Sequence, residues 1–258
     1  MGLAAPGGVL TTAIAGTLFT FANTPPDPTY TLLGFEVYYK LYDNTSPGQT
    51  ALQSYFNDTS QFTAATYATP GIAALLSEGY QRLAAFPSTT GYPVSTAGTA
   101  TWVALSASQA STLQQPPMIP ISSGDRPNSF FVHIDFSQNR LTTTPNLPAV
   151  TAAYQSGPTI VFANGSTTLY AGRLVIPTSG STLPSGTYYL KSFGAQSFDK
   201  YDPDLPSTIA SQPSGTTIPS LGVGIVVLAY GLDPNVLTVY SIPVPIGYVL
   251  LTNIALQQ

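Results

Sequence analysis

Gly222-Val223-Gly224-Ile225-Val226-Val227-Leu228-Ala229-Tyr230 is an uncharged apolar run, rich in β-branched residues and too short to cross a membrane. An exposed strand alternates apolar and polar residues; this one does not, so it reads as a strand buried on both faces. Gly231-Leu232-Asp233-Pro234-Asn235 follows as a turn, and residues 236–242 return as a second strand. Pro243 and Pro245 lack the amide hydrogen that a ladder needs, which places a sheet edge or a switch of sheets there. Residues 248–256 complete the chain as a last strand.

Upstream, Gly34-Phe35-Glu36-Val37-Tyr38-Tyr39-Lys40-Leu41-Tyr42-Asp43 alternates with period two. Phe35, Val37, Tyr39 and Leu41 share one face; Glu36, Tyr38, Lys40 and Tyr42 share the other. Charge beside tyrosine predicts that the second face is half-solvated, which makes Tyr38 and Tyr42 the candidate contact residues. Further strands are expected at 16–21, 99–107 (with Trp102), 130–136 and 186–193. A hairpin is expected at 159–176, where Asn164-Gly165 supplies two residues that tolerate positive φ. One helix is predicted over 71–86, because Ile72, Leu75, Leu76, Tyr80, Leu83 and Phe86 fall at spacings of three and four between Pro70 and Pro87; Gly79 weakens it. Residues 51–56 add a helical turn. The Pro/Ser-rich belts at 108–128 and 206–220 read as loops, with a polyproline-prone stretch at 114–120.

The expected fold is therefore mainly β: an antiparallel β-sandwich in one domain, residues 1–258, with an insertion around 44–220 that carries one short helix. The segment 34–42 resembles the third strand of fibronectin type III-like domains. Ala229-Tyr230-Gly231-Leu232-Asp233, with Tyr240-Ser241-Ile242-Pro243-Val244, resembles the closing strands of the same module. The extended pattern is similar to that of spirochaetal surface lipoproteins, a resemblance that implies a cell-surface location and no enzymatic residues. The chain departs from that family in lacking the cysteine that would carry the lipid.

Composition narrows the chemistry. The 258 residues include only 7 Lys and Arg and 11 Asp and Glu, with 22 Gly, 24 Pro and no cysteine. Disulfides, thiolate catalysis, zinc fingers and iron–sulfur clusters are excluded. Scattered cations and a net charge of −4 oppose nucleic acid as a partner. The single histidine, His133, rules out multi-histidine metal sites and reads as a strand residue on a polar face; no Gly-x-Ser-x-Gly elbow offers it a nucleophile. No catalytic residue, cofactor or transmembrane span is expected.

Asp199, Asp202 and Asp204 are the densest acids. They are calcium candidates by chemistry, though their spacing lacks the EF-hand's glycine and terminal glutamate; a solvated Asx-turn loop is the preferred reading. The 16 tyrosines and 12 phenylalanines offer sugar-stacking platforms, which makes a glycan a further candidate partner; Asn44, Asn57 and Asn164 begin glycosylation sequons, which matter only in a source that glycosylates its surface.

A surface of uncharged hydroxyls and amides responds little to salt and packs against neighbours without desolvating ions. The expectation is a non-enzymatic structural or adhesive subunit of an extracellular or cell-surface assembly (filament, layer or sheath), with copies of itself or other surface proteins as partners. The alternatives are a viral coat or tail subunit, and a carbohydrate-binding module or glycosidase.

Overall fold

In the computed structural model the described residues are 3–8, 18–22, 29–44, 50–63, 71–87, 102–123, 131–136, 159–162, 168–181, 183–194 and 196–257. The apolar run lies inside β11 (Thr217–Leu232), where every residue from Leu221 to Gly231 is buried. Fully burying a Val, Leu or Ile side chain contributes about 1.5–3 kcal/mol, so this strand anchors the molecule. On one side it pairs with β3 (Thr31–Asp43), from Leu221 opposite Asp43 to Leu232 opposite Thr31. On the other side lie β12 (Thr238–Tyr240) and then β13 (Val244–Ala255). Among the described residues neither β12 nor β13 pairs with any other named strand, so they form an edge of the described sheet, and Pro243 falls in the break between them.

The remaining strands continue the ladder: β1 (Gly7–Gly8), β2 (Leu18–Ala22), β4 (Gln81–Pro87), β5 (Trp102–Leu105), β6 (Ile119–Pro120), β7 (Phe131–Asp135), β8 (Thr159–Phe162), β9 (Thr168–Val175) and β10 (Tyr188–Lys191). The order is β1-β2-β7-β8-β9-β4-β3-β11-β12, with β10 joining β9 to β5, β6 on β3 and β13 on β11. All pairings between named strands are antiparallel. β4 is the junction: Gln81 and Arg82 pair with β3, whereas Leu83–Pro87 pair with β9. The molecule is mainly β, with an antiparallel sheet and, among the described residues, four helices. No helix among the described residues is long and apolar enough to cross a membrane.

One cluster of buried side chains reaches from Leu3 to Leu256. It includes Leu83, Ile119, Val132 and Phe198, so the segment expected as an insertion shares its core with the strands that flank it. The β8–β9 hairpin is present, with Ile160 opposite Leu169; its Asn-Gly turn lies outside the described residues.

The helices differ from expectation. Helix α1 (Ala51–Thr59) is capped by the Thr50 side chain, which accepts from the Gln53 amide, and buries Ala51, Tyr55 and Thr59 at intervals of four. It lies across β3, β11 and β13. The Tyr55 hydroxyl donates to the Ile225 carbonyl and accepts from the Gly247 amide, at the bulge where the register of β11 and β13 shifts. The predicted helix over 71–86 is instead α2 (Gly71–Ser77) followed by β4. Gly79 adopts φ +88°, and the Tyr80 and Gly79 amides donate to the Leu75 and Leu76 carbonyls. This Schellman closure stops the helix, and Leu83 becomes a core strand residue. Two further helices sit in the belts read as loops: α3 (Ala107–Leu113), with a reciprocal capping box between Ser106 and Gln109, and α4 (Ser207–Ala210).

Candidate functional site

β9 and β10 pair so that Arg173 stands directly opposite Lys191. Like charges facing each other across a ladder repel, so the arrangement requires carboxylates between them. The segment after β10 provides them. Ser197 donates its amide to the Gly194 carbonyl and Asp202 to the Asp199 carbonyl, and these successive turns fold Asp202 and Asp204 under the two strands.

The Lys191 Nζ donates to Asp202 Oδ1 at 2.5 Å. The Arg173 guanidinium donates to Asp202 Oδ2 from both Nη1 and Nη2 at 3.2 Å, and to both Asp204 oxygens at 3.0 Å. Its remaining donors reach the Ser192 and Ser197 carbonyls. The guanidinium plane lies 4.0 Å from the centre of the Phe198 ring. Tyr39, on the core face of β3, donates its hydroxyl to Asp204 Oδ2 at 2.6 Å. The side chains of Arg173, Lys191 and Asp202 have no solvent exposure at all.

Burial sets the protonation behaviour. Burial lowers the Lys191 ammonium below its usual range, partly offset by Asp202. Asp202 is pushed up by burial against the pull of Arg173 and Lys191. Burial also acts against the Arg173 charge, but Asp204 and Asp202 outweigh it, so Arg173 stays firmly protonated. The Tyr39 phenol is held well above its ordinary value by burial and by Asp204. Two cations thus face two carboxylates in a dry pocket closed by aromatic rings.

This overturns the calcium reading of Asp199, Asp202 and Asp204. Arg173 and Lys191 already supply the positive charge at Asp202 and Asp204. Asp199 turns away, accepting from the Tyr201 amide and the Ser181 hydroxyl. Among the described residues no group of acids or histidine could hold a metal ion. The Asx turn expected here is present, Asp199 Oδ1 accepting from the Tyr201 amide, but the loop is not solvated, since Asp199 and Asp202 are buried.

Tyr38 and Tyr42, the expected contact residues, are 3% and 5% exposed. The face of β3 that they occupy is covered by α1, α2 and their flanks, so it is not half-solvated. Tyr42 donates to Asp58 and shares a hydrogen bond with Tyr80. Glu36, on the same face, is buried and accepts from Arg82 and from the Met118 amide. Arg82 also donates to the Leu113 and Gln115 carbonyls at the end of α3. His133 pairs through its backbone with Thr20 and Val161; its side chain lies outside the described set.

Among the sequons, Asn44 uses its amide nitrogen on the Ser220 hydroxyl, while Asn57 is exposed on α1. Asn164 lies outside the described residues.

Arg173 and Lys191 were not legible as site residues, because no local motif joins positions 39, 173, 191, 202 and 204. Only the acid density at 199–204 marked the place. Compared with protein-family models, curated proteins and solved structures, the chain matches none.

Proposed function

We propose that the chain is a non-enzymatic structural or adhesive subunit of an extracellular or cell-surface assembly, in which copies of itself or other surface proteins are its neighbours. The observation that carries this reading is where the charge goes. Of the five described cations, Lys40, Arg82, Arg173 and Lys191 form ion pairs within the chain, Arg173 and Lys191 wholly buried, while Lys200 lies over the Tyr201 ring. The described exterior is left largely to Ser, Thr, Gln, Asn and Pro, with apolar points such as Phe56, Leu76, Val236 and Leu237. Such a surface forms contacts that neither salt nor moderate pH disrupts. The carboxylates at 202 and 204 are occupied by Arg173 and Lys191, which counts against an acid–base pair for glycoside hydrolysis.

In the finer architecture of this proposal, the strands around β9 and those around β11 face each other as two layers of a sandwich with fibronectin III-like elements. β4 turns the corner between them, and the shared core lies between the layers.

Particle size by light scattering, followed from low to molar salt and across the neutral pH range, tests the functional reading. Oligomers that persist unchanged are expected. A chain that stays monomeric at high concentration, or whose oligomers dissolve in salt, overturns it.

A further inference from the structure

We propose that Lys191 and Asp202 condense inside the folded protein to an intramolecular amide between Nζ and Cγ, releasing one water. The reacting groups already touch: Lys191 Nζ lies 2.5 Å from Asp202 Oδ1, with the carboxyl carbon one bond beyond. Both side chains are fully shielded from solvent. An amine and an acid held in attack geometry within one molecule reach effective concentrations on the order of 10^5–10^8 M.

The step balances within the pair. The ammonium passes a proton along the short hydrogen bond to Oδ1, leaving a neutral amine and a neutral acid. The nitrogen lone pair attacks Cγ, forming the N–C bond and placing negative charge on Oδ2. On collapse the Cγ–Oδ1 bond breaks, and Oδ1 leaves as water with its own proton and the second one from nitrogen. No oxidant, metal or further reactant enters.

The surroundings suit each stage. Oδ2, where charge develops, accepts three hydrogen bonds: from Arg173 Nη1, from Arg173 Nη2 and from the Asp199 amide, all at 3.2 Å. The donors that satisfy this buried carboxyl group thus also stand where an oxyanion would form. Burial favours the neutral forms of both Lys191 and Asp202. Asp204, which also accepts from the Tyr39 hydroxyl, holds the guanidinium in place. The product would tie β10 covalently to the turn that follows it. This inference does not depend on the structural-subunit reading, since it concerns one chain alone.

The intact mass of the purified, denatured chain decides it. The expected mass is one water below that of the sequence. Trypsin should leave Lys191 uncut, so that fragment 174–200 appears joined to fragment 201–258. A mass equal to the sequence overturns the proposal, as does a missing water traced to any other residue. The Lys191→Met chain is expected to show its full mass; if it too is one water short, the proposal also falls. These readings come from denatured material, so the variant's folding does not affect them.

Discussion

The two faces of β3 hide polar groups in opposite ways. On the core face, Tyr39 reaches a cluster whose Arg173, Lys191 and Asp202 side chains see no water. On the helix face, the Lys40 and Asp58 side chains stay 25% and 29% exposed while Tyr42, Tyr55 and Tyr80 fill the space beneath α1 and α2. The first face concentrates charge in a dry pocket and balances it; the second buries neutral phenols, keeps Lys40 and Asp58 at the rim, and sinks a single carboxylate, Glu36, against Arg82. Charges that cannot reach water must be matched group for group, whereas rim charges are expendable.

Alkali should break the helix face most severely. Tyr38, Tyr42, Tyr55 and Tyr80 all have phenols raised by burial, and Tyr39 joins them from the other side. Tyr240 and Tyr248 are pushed up to about 12. A raised phenol holds its proton more tightly when folded than when unfolded. Its contribution is therefore complete below the ordinary value of about 10 and drains away as pH climbs past it. One pH unit above that value, each of these five tyrosines removes roughly 1 kcal/mol, so cooperative unfolding should follow tyrosinate absorbance. Retention of the fold well above that pH would show that these rings are not sealed.

Arg173→Met tests the core face. It leaves the buried Asp204 carboxylate, which Tyr39 also contacts, without its guanidinium, and should cost about 3–5 kcal/mol in urea unfolding. Gly224→Ala returns to the helix face: the added methyl would fall within the van der Waals envelope of the Tyr55 ring, with Tyr42 beside it. Overpacking of this kind costs about 1–3 kcal/mol and should push α1 outward, read as faster hydrogen exchange in residues 51–59. Smallest is Lys40→Met, expected to change stability by about 1 kcal/mol or less and to lose even that in high salt. An effect as large as that of Arg173→Met would erase the distinction between rim and core.

Much of the strand framework could be read in the residues themselves. The apolar run 222–230 is buried on both faces, as its lack of alternation implies. The two faces of β3 do divide as its period implies, Phe35, Val37, Tyr39 and Leu41 into the main core and Tyr38 and Tyr42 into other clusters, but both faces are buried. What alternation could not convey is that two helices would cover the tyrosine face, because periodicity reports a difference between faces and not what lies over them. Leu83 and Phe86 continue the helical spacing of Ile72 and Leu75 by coincidence, and Gly79 was the stronger signal. Helix α3 was hidden by the prolines after it, although Ser106 and Gln109 have the spacing of a capping box. The ionic cluster could not be read at all: its members come from two paired strands, a turn and a third strand far earlier in the chain, joined only by tertiary structure.

The pairing of β3 with β11 also bears on how the molecule is made. β3 ends at Asp43, and its partner begins only at Thr217. During synthesis a ribosome must complete most of the chain before the longest ladder can zip, leaving an apolar strand edge bare in the meantime. A cell producing this protein would need a holding chaperone, or a rate of elongation fast enough to outrun clumping of nascent chains.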